Sequence, residues 1–399
     1  MNQQTNSSFG VGRLASLLTE LTRQKESRLD TCIDVRQMSV VAGKSEERGN
    51  HLQLAPVCGS QACEFLPGDG IPLRTEAMVQ LGQKVSPKIP TKFMKELVDQ
   101  YPTEAADLTD RLMYDTSKRL LVRQLDGQVR ALLSDRYRFI DNYDLVFQAM
   151  DTAERVGARV VSCSMSEDYM RIKLICPDLW TVLNQGDGRH EFFSPGDLGN
   201  QEWLDRNGIH DELQDDDSYK SNGKIVWPGC EISNSETGKG GTNVRFLMTD
   251  KACFNMCTFD TVGRSVHLGK KMEMGMYSDE TISADSKAIM LKMQDSIKAC
   301  FNPEFFNKYV AVRQEAEVDE IKAPSAAVDN VIKATHIPES KRDQLLAYFL
   351  GDYTKHVPTR AGLSQACARM SQDEMEDGDL SSTYEEVAGL VLTNKSLVC

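Results

Sequence analysis

The chain has 399 residues, 46 basic and 59 acidic, for a formal net charge of −13. Listed hydrophobics at 40% and charged residues at 26% are ordinary for a globular protein with a sizeable core, which excludes a mostly disordered chain. The charge also excludes coating of duplex DNA through bulk positive potential, though it leaves room for a local basic groove.

Residues 1–10 are rich in Asn, Gln, Ser and Thr and are expected to form a frayed tail with no secretory signal. Val11, Leu14, Leu18 and Leu21 give one apolar face, which predicts a helix from Val11 to about Leu29. Val40 to Gly70 mixes Gly, Pro and polar residues and reads as a long loop or arm with short strands. Helices follow over Thr75–Leu81, stopped by Gly82, and over Thr91–Gln100, bounded by Pro90 and Pro102. A helix-turn-helix reading of 75–98 fails because Pro87 and Pro90 fall between the helices and no strongly basic recognition helix follows. Residues 11–117 therefore form an N-terminal region of helices and arm.

Residues 118–278 read as a sheet core. Asp126-Gly127 is a strong two-residue hairpin signal between the strand patterns Leu120–Val122 and Val129–Leu133. A helix over Asn142–Val156 is bounded by Asp141 and Gly157, and a second hairpin joins Arg159–Ser164 to Tyr169–Cys176. That order predicts an α+β fold, an antiparallel sheet of hairpins crossed by a helix. Residues 178–220 form an acidic insertion, with eight acidic residues between Asp197 and Lys220 against Arg206 and Lys220. Strand signals return over Lys224–Ser233 and Asn243–Met248. From 279 to 399 the pattern is helical, with Pro303, Pro324 and Pro338 placed as first helical residues.

The run from Leu121 through Asp126-Gly127 to Arg138, then Asp141-Asn142-Tyr143-Asp144-Leu145, resembles the signature of the phage/plasmid-like proteins, a family of unknown function. Asn234-Ser235-Glu236-Thr237-Gly238, Val244-Arg245, the Cys253–Cys257 stretch and His267-Leu268-Gly269 also resemble it. The resemblance covers most of residues 16–395 and departs from the family at Cys253-Phe254-Asn255-Met256, where a glycine is missing. It implies a mobile-element origin, and so a bacterial host cytoplasm, but no catalytic residue.

Function must come from chemistry. Lys118, Arg119, Arg123, Arg130, Arg136 and Arg138 stand against Asp126 and Asp135, a local excess of +4. A two-residue turn would set Arg130 opposite Arg123, an unfavourable facing unless an anion lies between them. With Tyr137 as a stacking ring, this face suits single-stranded nucleic acid. The bland alternative is a solvated sheet face with internal pairs. Arg245, Lys251, Arg264, His267, Lys270 and Lys271 form a second basic cluster that would extend the same groove if the sheets adjoin.

Other motifs are weaker. The spacing of Cys253, Cys257 and His267 is not that of a zinc site, Gly238–Thr242 lacks the P-loop spacing, and Asp215–Asp217 reads as solvated acid. Glu236 has no partner visible in the sequence. No cofactor, metal or membrane partner is implied, and the eleven scattered cysteines read as reduced thiols of a cytoplasmic protein.

The leading expectation is a non-enzymatic mobile-element protein that binds single strands, in annealing or recombination, and is able to oligomerise. The alternative is a factor that engages a host or phage protein through the acidic insertion. An enzyme built around Glu236 and His267 has no nameable reaction.

Overall fold

The computed structural model describes residues 3–46, 48–114, 118–135, 137, 140–184, 192–193, 223–250, 256–265, 279–351, 357–374 and 377–398. Most of the acidic insertion, with Lys251, His267, Lys270 and Lys271, lies outside them.

Helix α1 (Gln3–Ser27) begins within the stretch expected as a tail and ends two residues before Leu29. Helical bonding continues through polar residues that show no apolar period, and at Arg28 the chain turns into strand β1 (Arg28–Asp34). The arm expected over Val40–Gly70 is largely a hairpin, β2 (Met38–Ser45) and β3 (Gly49–Pro56), with β4 (Ile71–Pro72) paired to β3. Helices α2 (Thr75–Lys84), α3 (Thr91–Gln100) and α4 (Pro102–Tyr114) follow. Helix α4 was not read from the sequence.

Strands β5 (Arg119–Leu125) and β6 (Gln128–Ser134) form the expected hairpin. Asp126 at φ 55° and Gly127 at φ 69° both take the left-handed conformation that a tight two-residue turn requires. Helix α5 (Asn142–Arg155) leads into the hairpin of β7 (Arg159–Met165) and β8 (Met170–Ile175). Strands β9 (Trp180–Asn184), β10 (Phe192–Phe193), β11 (Gly223–Asn234), β12 (Thr242–Asp250) and β13 (Met256–Ser265) follow.

The two hairpins do not share a sheet. β5–β6 joins β1 in the order β1-β5-β6, whereas β7–β8 attaches through β8 to β11 in a larger sheet ordered β10-β9-β11-β12-β13. The strand ladders among the described residues are antiparallel, with one isolated parallel bridge between Leu73 and Val129. One core holds Leu120, Val122, Val129 and Leu132 of the first hairpin against Val35, Leu54, Leu81, Met94 and Met113, so this hairpin packs with the N-terminal elements. A second core sets Ile172, Cys230, Ile232 and Phe246 against α5 and the C-terminal helices.

Those helices are α6 (Asp279–Cys300), α7 (Pro303–Val318), α8 (Pro324–Ala334), α9 (Arg342–Gly351), α10 (Arg360–Asp373) and α11 (Gly378–Thr393). Pro303 and Pro324 do occupy first-turn positions, and Asn302 caps α7 by accepting from the Phe305 N–H at 3.1 Å. Pro338 instead precedes a short 3₁₀ turn over Glu339–Lys341. The fold is α+β, antiparallel sheets with a mainly helical C-terminal region.

Candidate nucleic-acid interface

Two of the hairpin arginines, Arg123 and Arg130, are not on the surface. Arg123 is 0% exposed and Arg130 6%. A guanidinium in a core needs counter-charge and hydrogen-bond acceptors, and both have them. Arg123 grips Asp30 of β1 with two bonds, Nε to Oδ1 at 3.0 Å and Nη2 to Oδ2 at 2.8 Å, and donates Nη1 to the Glu236 backbone oxygen at 2.8 Å. Burial works against its charge, but Asp30, Glu236 and Asp141 prevail and raise its pKa.

Arg130 does not face Arg123. The ladder pairs Gln124 with Val129 and Arg123 with Ala131, so a bulge leaves Arg130 as the extra residue. Its Nη2 meets Glu236 Oε2 at 2.5 Å. The anion that the facing of two arginines demanded is therefore the protein's own carboxylate. Burial opposes the charge on Glu236, yet Arg130, Arg123 and the Asn142 N–H hold it below the usual carboxylate range. That N–H, the first of α5, donates to Glu236 Oε1 at 2.8 Å. Glu236 so ties the hairpin to a helix start in the second core.

The rest of its motif is equally structural. Asn234 donates to the Ile140 oxygen and to Asn142 Oδ1, each at 2.8 Å, and accepts from Thr242 at 2.6 Å. Tyr137, expected as a stacking ring, is half-buried and donates its hydroxyl to the Ser235 oxygen at 3.0 Å. Burial pushes its phenol well up. Arg28 closes the cluster on Asp141 with Nη2 to Oδ2 at 2.8 Å.

Arg245, from the second basic cluster, lies in a different place. On β12 its guanidinium contacts Glu386 of α11 and stands 3.9 Å from Glu231. Beside it Lys173 sits between Glu385, at 2.6 Å, and Glu231, at 3.9 Å. Arg264 lies on β13, its side chain outside the described residues, and so do Arg136 and Arg138. Arg245 thus meets α11 rather than the hairpin, and the other side chains of the second cluster lie outside the described residues.

Among the described residues, Lys118 and Arg119 are the hairpin cations that remain exposed. Arg119 donates to the Cys32 backbone oxygen at 3.1 Å. Near them is a feature that the hairpin-centred reading overlooked. Residues 84–95 contain Lys84, Lys88, Lys92 and Lys95 and no acidic residue. The Lys84 amine is pushed below its ordinary value, by partial burial first and then by Lys118 and Lys88. Among the described residues no carboxylate pairs with Lys84, Lys88 or Lys118, and Lys92 reaches only Glu96, at 3.9 Å. Phe93 is 50% and Tyr114 65% exposed. Chain length keeps Phe93 within about 18 Å of Lys88, and Tyr114 within about 14 Å of Lys118. The spacing of four lysines without an acid was the available signal.

Comparison with protein-family models, curated proteins and solved structures finds no match.

Proposed function

We propose that the protein binds single-stranded nucleic acid, without catalysis, on the flank formed by α2–α4 and the start of β5. Lys84, Lys88, Lys92, Lys118 and Arg119 supply the phosphate contacts, with Phe93 and Tyr114 as stacking platforms. The observation that carries this reading is a half-buried Lys84 that feels the charges of Lys118 and Lys88, none of the three paired with a carboxylate among the described residues. Like charges held together at a surface are relieved by an anion, and exposed aromatic rings a few residues away in the chain favour a strand with accessible bases over a closed duplex.

The overall −13 does not oppose this. Residues 197–220 and 313–399 together supply −12 of it, so the rest of the chain is near neutral. Fluorescence anisotropy with a labelled single-stranded oligonucleotide across a salt series tests the reading. With four to six cations engaged, log K should fall against log salt with a slope of about −3 to −4. No binding at low salt and micromolar protein contradicts it.

A further inference from the structure

A second feature deepens that reading and rests on it. A cleft of about 260 Å³ opens between the turn after β7 and the hairpin, lined by Arg74, Arg130, Asn142, Met165, Tyr169 and Glu236 among others. Its size sits just below the range of sites for drug-sized ligands, so it suits one small group. The Arg130 side chain is 7% exposed, and its Nε–H is buried with no acceptor. A buried donor left unpaired is costly, and because Arg130 lines the cleft, a ligand that settles deep in it can supply the missing acceptor.

The charge around the cleft selects the ligand class. Two cations, Arg74 and Arg130, face three carboxylates, Glu167, Asp168 and Glu236. A phosphate or carboxylate gains nothing there. A neutral planar group carrying both acceptors and donors can use a guanidinium and a carboxylate side by side, against the ring of Tyr169 and the thioether of Met165. The position fits as well. Arg74 is the N-cap of α2 and Lys84 its last residue, so cleft and cationic flank lie at the two ends of one helix about 15 Å long. A strand of about 4–16 nucleotides spans such a distance.

We infer that this cleft receives a single nucleobase of the bound strand while its phosphates remain outside on the lysines. Isothermal titration of the full chain with the neutral nucleosides guanosine, adenosine, cytidine and uridine tests this, beside the oligonucleotide titration. Two variants narrow the cleft without touching the buried ion pairs, Gln24→Trp at its wall and Met165→Phe, each checked by thermal melting. The expected result is saturable binding of at least one nucleoside at about 1 mM or tighter, weakened tenfold or more in either folded variant, with oligonucleotide binding weakened but still measurable through the lysine flank. Nucleoside binding that both variants leave unchanged overturns the inference, because the ligand then sits elsewhere. Absence of nucleoside binding while the oligonucleotide still binds overturns the base pocket and leaves the flank standing. Loss of both in the native chain overturns the flank reading with it.

Discussion

Asp30 and Arg123, 93 residues apart in sequence, meet in a two-bond fork at 3.0 and 2.8 Å across the β1–β5 pairing. The fork is wholly internal, since Arg123 is 0% exposed and Asp30 12% at the side chain. A cation buried this deeply holds the fold together and is unavailable to a ligand. Replacing Arg123 with Ala should therefore cost about 3–5 kcal/mol, because Asp30 then loses its buried partner. Urea unfolding of the variant checks this. A loss below about 1 kcal/mol would show that the fork contributes little.

Arg130 and Glu236 form the second such pair, and their contributions should couple. Removing either leaves an uncompensated charge under the hairpin, whereas Arg130→Met with Glu236→Leu removes both at similar volume. In a double-mutant cycle read by denaturant unfolding, the double variant should be less destabilised than the sum of the singles by about 1–3 kcal/mol. Additive singles would contradict a direct pair.

Gly389 on α11 rests against β13. A Cβ placed there would lie 1.9 Å from the Thr258 backbone oxygen. Helix propensity alone would favour Gly389→Ala by up to about 1 kcal/mol. The backbone contact outweighs that gain, since an overpacked seam costs about 1–3 kcal/mol. The variant should melt below the native chain, and a higher melting temperature would show that α11 does not dock at that distance.

Glu385 carries the opposite pH sign from Glu236. Burial raises it, Lys173 lowers it, and Glu231 raises it again. Thr258 and Ser371 also face it, at 3.5 Å each. A carboxyl raised in the folded state binds its proton more tightly there, so its contribution becomes less favourable as pH rises from its unfolded value, near about 4.5, through the folded one. Glu236, held low, loses its contribution as pH falls through its folded value. Glu385→Gln mimics the protonated acid. Its melting temperature relative to the native chain should therefore be most favourable near neutral pH and decline as pH falls toward 5. A difference that stays constant over that range would contradict the assignment.

The parts of the fold legible in the sequence are those whose signal is local. The Asp126-Gly127 turn, the Thr91–Gln100 helix between prolines and the proline starts of α7 and α8 depend on neighbours within a few residues. Strand β1 was hidden because its partner β5 lies about ninety residues away and its burial alternates poorly. Within the candidate site, the burial of Arg123 and Arg130 was illegible for a related reason. Residue spacing placed Arg130 opposite Arg123, but a one-residue bulge redirected it to Glu236, 106 positions along the chain. Basic residues on a hairpin look alike in sequence whether a phosphate or a distant carboxylate neutralises them. The lysines of 84–95 are visible in the sequence, yet the closeness of Lys84 to Lys118 appears only once α2 and the start of β5 are brought together.

The flank's aromatic rings should contribute separately from its charge. Tyr114→Ala leaves every cation in place and should weaken single-strand affinity by about 1–3 kcal/mol without changing the salt slope. Unchanged affinity would remove Tyr114 from the interface.

The most direct measurement is an electrophoretic mobility shift with a labelled single-stranded oligonucleotide at low salt. It compares the native chain with the triple variant Lys84→Glu, Lys88→Glu, Lys118→Glu, each shown folded by its melting curve. The native chain should shift the oligonucleotide at micromolar concentration, and the triple variant should not. A shift that survives the triple reversal, or none from the native chain, would contradict single-strand binding on this flank.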